Sequence, residues 1–248
     1  QCCRRLADLG LIAGADGIDP YAPPVPVPGV PDLDRPPTGI RVGWNVGKSF
    51  EPMDPDVRDT IVRAATALGE SGFRIEEVSP RAMDEVEMDS IFSTVSLAET
   101  QHYVKPRVAG RESELTHYIK ERLAEPEPTI EQYLDGLRAW EEFRQGIAAY
   151  FQEYDLLVCP TMAVPAYPYD AEEITIGGEQ VPVKGAGKGT TQWNLTGSPA
   201  ISVPFGWSSD GLPIGVQIVG RHFDEPTVLL AAAALERMNE TATRRPVL

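Results

Sequence analysis

Apolar positions along the chain change their spacing several times, and each change predicts an element. Residues 39–45 (GIRVGWN) form a short β-rich run bounded by Gly and Asn, as expected of a strand. Asp54 then stands where a helix cap belongs, Pro55 suits the first turn, and Val57, Ile61, Ala65 and Leu68 recur at helical spacing until Gly72. Residues 73–78 return to strand character. This strand–helix–strand order predicts parallel pairing in an α/β layer with a right-handed crossover.

Residues 81–123 are helical in composition but poorly periodic, and Pro106, Gly110 and the pair Pro126 and Pro128 divide them from the next segment, which predicts irregular helices. Ile130, Tyr133, Leu134, Leu137, Trp140, Phe143, Ile147 and Phe151 make an aromatic-rich stripe on one long amphipathic helix. Core packing accounts for that stripe better than a ligand role. Residues 155–159 (DLLVC) read as a compact strand stopped by Pro160, and residues 174–183 as a hairpin whose Gly177-Gly178 turn uses positive φ angles. Residues 199–204 and 214–219 are two further strands joined through Asp210-Gly211, and a helix over 225–239 comes after them. The expected class is α/β: a mixed β-sheet flanked by helices in three layers (α/β/α).

Composition adds a connector and removes several functions. Many of the 23 prolines fall in residues 20–37 (PYAPPVPVPGVPDLDRPP), an extended segment. The expected organisation is therefore residues 1–19 as the end of a helix, 20–38 as a Pro-rich connector and 39–248 as the main body. Gln1 stands where a start would have Met, and residues 2–13 read as a helix with no cap ahead of it, so the chain is expected to continue a longer polypeptide.

The net charge of −15 makes a nucleic-acid backbone or an anionic membrane face an unfavourable partner. No stretch reaches the roughly 18 consecutive apolar residues of a membrane helix, and no signal peptide opens the chain, so a soluble, cytoplasmic protein is expected. Three cysteines, Cys2, Cys3 and Cys159, imply no disulfide framework.

Candidate chemistry is sparse. His102, His117 and His222 lack metal-ligand spacing, so no metal and no cofactor are expected. The Gly-rich run 184–189 (KGAGKG) matches no phosphate motif and reads as a loop. Cys159 ends a predicted strand but has apolar neighbours, the setting of a buried hydrophobe rather than of a nucleophile. Neither a Gly-x-Ser-x-Gly elbow nor a Ser-x-x-Lys is present, and Ser198 and Ser202 have no adjacent base in sequence.

The most informative feature is an ordered set of segments. Tyr154-Asp155-Leu156-Leu157-Val158-Cys159-Pro160-Thr161 is followed by Asn194-Leu195-Thr196-Gly197-Ser198-Pro199-Ala200-Ile201-Ser202-Val203-Pro204 and by Gly211-Leu212-Pro213-Ile214-Gly215-Val216-Gln217-Ile218-Val219-Gly220. A helix with Glu225, Leu229, Leu230 and Glu236 closes the set, and upstream stand Ala7-Asp8-Leu9 and Ala13-Gly14-Ala15-Asp16-Gly17-Ile18-Asp19-Pro20. Together these resemble the C-terminal part of the amidase-signature family, over nearly the whole chain.

The resemblance implies hydrolysis of, or transfer from, C–N amide bonds by a Lys-Ser-Ser triad, with a small-molecule amide as substrate of the complete protein. That triad would lie upstream of Gln1, so no catalytic residue is expected within the chain, which alone should be inactive. By the same resemblance Thr161, Thr191, Trp193 and Asn194 stand nearest the substrate pocket. For Trp193, core packing and pocket lining are equally open; for Asn194, a cap or turn role is favoured over substrate contact. An alternative is a non-catalytic ligand- or partner-binding protein that keeps this C-terminal fold. Which amide is the substrate, hydrolase versus amidotransferase, and whether the protein is a homo-oligomer are not readable from the sequence.

Overall fold

A computed structural model describes residues 14–19, 24–26, 29, 31–86, 88–183 and 189–239. The helix expected over 2–13, part of the Pro-rich connector and residues 184–188 of the Gly-rich run lie outside the described residues. The chain forms two compact units, one from residues 1–79 and 148–248, the other from Pro80–Ile147.

The first unit is built on a five-stranded mixed sheet. Its strands are β1 (Arg41–Trp44), β2 (Arg74–Glu77), β3 (Leu156–Pro160), β6 (Ala200–Trp207) and β7 (Pro213–Gly220), in the order β2-β1-β3-β7-β6. β1 pairs in parallel with β2 and with β3, as the strand–helix–strand order requires, whereas β7 runs antiparallel to both β3 and β6. The central strand β3 is buried at every position, which explains why its sequence is a continuous apolar run rather than an alternating one.

Helix α1 (Pro55–Glu70) joins β1 to β2. The Asp54 side chain accepts from the Asp56 backbone N–H at 2.8 Å and Pro55 occupies the first turn. The expected stripe Val57, Ile61, Ala65 and Leu68 is buried, and Gly72 supplies the positive φ, 97°, that turns the chain into β2. Helix α8 (Glu225–Met238) packs beside α1 over β6 and β7. Residues 228–235 of α8, from Val228 to Leu235, are all buried, because an alanine-rich segment presents little bulk on any side.

A separate hairpin, β4 (Glu173–Ile176) and β5 (Glu179–Pro182), turns through Gly177 and Gly178 at φ 59° and 90°, as expected. Its Ile174 and Ile176 form a small core with Val164.

Two strand ends differ from expectation. Pro160 does not stop β3 but is its last residue, opposite Val216, a position where the missing N–H costs little. β6 continues past Pro204 to Trp207 through a bulge between Pro204 and Gly206, which accommodates the proline that ended the expected strand.

The second unit is helical. It contains α2 (Arg81–Glu85), α3 (Met88–Glu99), a π-helical turn (Thr100–Val104), α4 (Lys105–Val108) and α5 (His117–Ala124). Helix α6 (Ile130–Glu153) begins there and runs into the first unit. The irregularity has a structural purpose: buried Gln101 in the π-helical turn donates to the Glu125 carbonyl at 2.8 Å, closing the end of α5. Phe143, Ile147 and Phe151 of the expected stripe are buried, but Ile130 and Leu134 are 72% and 55% exposed. In that half of α6 close packing falls instead on a glycine face, since a Cβ on Gly136 would lie 3.0 Å from the Val95 side chain.

Candidate functional site

Of the four residues singled out by sequence, Thr161, Thr191 and Trp193 lie at or beside the carboxyl end of β3, and Asn194 faces solvent. Thr161 follows that strand directly, is half-buried, and shares a 2.8 Å hydrogen bond with the Ser202 hydroxyl of β6. Gly215 of β7 makes room for the pair: a Cβ there would stand 2.5 Å from Ser202 Oγ and 3.4 Å from Thr161 Oγ1. Three strands thus place two hydroxyls side by side, Thr161 half-buried and Ser202 exposed.

Helix α7 (Thr191–Thr196) is brought to the same place by Gly189. A side chain on Gly189 would overlap the carbonyl oxygens of Pro160 and Thr161, so the backbone lies directly on the strand end. Thr191 opens α7 half-buried, and Trp193 is 4% exposed. Asn194 faces solvent in the middle of the helix, so it is not a cap. That role belongs to Gly197, at φ 70°, whose N–H donates to the Trp193 carbonyl at 2.9 Å. Thr161, Thr191 and Trp193 are therefore grouped around one strand end, and Asn194 points away from the packed side.

Cys159 lies beneath this group. It is fully buried, and burial pushes its thiol up to about 12, against the opposing effect of the Gln217 and Trp193 side chains. Gln217 Nε2 donates toward its sulfur at 3.4 Å; the buried Trp193 indole N–H is near enough to act on the thiol without reaching hydrogen-bond geometry. A thiol held protonated in this way is no nucleophile at neutral pH.

The serines fare no better. Ser198 is buried and accepts from the Thr196 hydroxyl at 2.9 Å, while Ser202 has Thr161 as its partner. His222 is exposed, its Nε2 donating to the Thr196 carbonyl at 2.7 Å rather than to a hydroxyl. Among the described residues no group of three or more His, Cys, Asp or Glu could hold a metal, and no helix is long and apolar enough to cross a membrane.

Ser202 was weighed from sequence only as a serine without a base, and Gly189, Gly215 and Gln217 only as members of a Gly-rich run or of the family segments; none of the four was assigned to the site. Gln217 carried a signal, as the one amide in an otherwise apolar strand; Gly189 and Gly215 stood in recognisable segments, but their roles depend on neighbours distant in sequence.

Known proteins agree with this architecture. A family model described as Amidase matches residues 8–229. A glutamyl-tRNA(Gln) amidotransferase subunit of Acidobacterium capsulatum is 27% identical over 94% of this chain and 53% of its own length. An amidase of Pseudomonas putida is 29% identical over 97% of this chain and 52% of its own. Among solved structures, 6-aminohexanoate cyclic dimer hydrolase superposes with a TM-score of 0.76 at 23% identity, covering 97% of this chain and 54% of that one. A protein from a vestigial complex tied to the origins of an s-triazine catabolic enzyme superposes at 0.81, also at 23% identity, covering 95% and 52%. The chain spans about half the length of the curated relatives it matches. On the breadth of the family match, the chain belongs to the amidase family.

Proposed function

We infer that residues 1–248 are the C-terminal portion of an enzyme that hydrolyses small-molecule amides at the C–N bond, and that the attacking group is carried by sequence outside this chain. One observation carries the reading: the family match runs from residue 8 to residue 229, yet the only thiol among the described residues is buried and protonated and the serines around the strand end pair with hydroxyls. On this reading residues 39–248 are the C-terminal part of the amidase domain, with 20–38 a connector and 1–19 the end of a preceding helix.

The chemistry would be acyl-enzyme formation. A serine hydroxyl attacks the amide carbonyl, its proton passes through a bridging serine to a lysine and then to the departing amine, and water hydrolyses the resulting ester. None of these groups is assigned to this chain. Its own contribution would be the wall formed by Thr161, Thr191 and Trp193, with Asn194 at the outer edge. No cofactor or metal takes part in this scheme. The acidic charge of −15 weighs against direct contact with a nucleic acid, and a cytoplasmic location fits the absence of a membrane-crossing helix among the described residues.

The test is to assay 1–248 alone, and the same chain joined to its upstream coding sequence, on simple aliphatic and aryl amides. The shorter protein should show no turnover and the longer one should release amine. Amide hydrolysis by 1–248 itself, abolished by Ser198→Ala or Cys159→Ala, would overturn the assignment. An upstream start codon close to Gln1 with no Lys or Gly/Ser-rich segment would instead favour a non-catalytic binding protein.

A further inference from the structure

Gln217 is a buried amide, 4% exposed, in a strand otherwise made of apolar residues and glycine. Its Nε2 reaches three acceptors on two other segments: the Gly189 carbonyl at 2.6 Å, the Pro160 carbonyl at 3.3 Å and the Cys159 sulfur at 3.4 Å. An amide nitrogen has two hydrogens. The short bond to Gly189 takes one, and Pro160 and Cys159 share the other.

Helix α7 needs such an anchor. It has six residues, too few to be stable alone, and Thr190 ahead of it makes no side-chain capping bond. Among its buried polar groups, Gln192 Oε1 and Trp193 Nε1 have no hydrogen-bond partner, and the Thr196 hydroxyl bonds to Trp193 and Ser198 within the same segment rather than to the sheet. The start of α7 is tied to the sheet by the contact of the Gly189 backbone with Pro160 and Thr161, held from β7 by Gln217.

We propose that Gln217 is the positioning residue of the candidate site: its side-chain amide clamps Gly189 to the end of β3 and so sets where Trp193 and Thr191 stand relative to Thr161. The proposal rests on the amide-hydrolase reading above. Gln217 touches no substrate in this scheme; it acts through the backbone that carries the wall. Loss of the clamp therefore weakens substrate binding more than it slows the chemical step.

Cys159 reports on the clamp directly, because Gln217 and the segment it holds lie against the sulfur. With Cys2 and Cys3 replaced by Ser, native-state alkylation of Cys159 should be slow. Gln217→Met keeps the volume without a donor, and Gln217→Leu removes both the donor and the acceptor at similar bulk. Both should speed Cys159 labelling by about tenfold or more, since a buried carbonyl loses its partner. Gly189→Ala presses the same backbone off the strand with the amide intact and should do likewise; it decides the matter if the Gln217 variants do not fold.

In the protein carrying its upstream segment, Gln217→Met should raise KM for an amide by about tenfold while kcat falls less. Unchanged labelling in folded variants would overturn the clamp. Faster labelling with KM unchanged, or with kcat alone reduced, would overturn the positioning role. If the longer protein hydrolysed no amide at all, the functional reading would fail and the positioning role with it, while labelling would still decide whether the clamp exists.

Discussion

The Tyr150 hydroxyl donates to the Leu156 carbonyl at 2.9 Å and fills the space where a side chain on Gly43 would begin. One aromatic near the end of α6 thus ties into β3 and dictates the residue in β1. Gly43→Ala should cost about 2 kcal/mol or more through overpacking, and Tyr150→Phe about 1 kcal/mol through the lost hydrogen bond. The two effects should not add. With the hydroxyl gone, alanine at 43 clashes chiefly with Val78, so the double variant should be more stable than the sum implies. Urea unfolding of the four proteins measures this, and strict additivity would show that the hydroxyl is not what excludes a methyl.

Asp56 links α1 to the β6–β7 turn. Its carboxylate accepts from the Ser209 backbone N–H at 2.7 Å, and that N–H together with the Ser209 side chain holds the carboxyl below its ordinary value. A group depressed in the folded state stabilises the fold above its unfolded pKa and loses that contribution as pH falls through the folded value. The difference in melting temperature between the protein and Asp56→Asn should therefore be present at neutral pH and shrink below about pH 4, the ordinary carboxylate range. A difference that grew on acidification would contradict the assignment.

Arg122 organises the helical unit. Its side chain is 7% exposed and donates to Ser93 Oγ at 3.2 Å, the Ser93 carbonyl at 3.1 Å and Ser96 Oγ at 2.9 Å, with Glu125 as counter-ion at 3.4 Å. Arg122→Met leaves those acceptors without their donor and should destabilise residues 80–147 by about 3 kcal/mol, read by amide hydrogen exchange in α3 and α5. Exchange rates unchanged in α3 would show that the guanidinium is dispensable.

Much of the fold was legible in the residues. The cap at Asp54, the buried stripe of α1, the parallel pairing of β1 with β2 and the Gly177-Gly178 hairpin are local signals read within a few residues of one another. The long helix was legible too, but its inward face was not. Ile130 and Leu134 continue the apolar period and still face solvent, because periodicity names a face and only packing says whether something covers it.

By itself the sequence determined the family, through segments that keep their order along the chain, and it determined an α/β sheet whose central strand is apolar throughout. Tertiary structure alone decided what surrounds the end of β3. The Thr161–Ser202 hydroxyl pair spans 41 positions and the Gln217–Gly189 bond 28, and the local sequence names the partner of neither, because such contacts depend on how strands are ordered in the sheet. The same ordering buried Cys159 beneath Gln217 and keeps its thiol protonated, in line with the buried, inert role that its apolar neighbours in sequence had favoured.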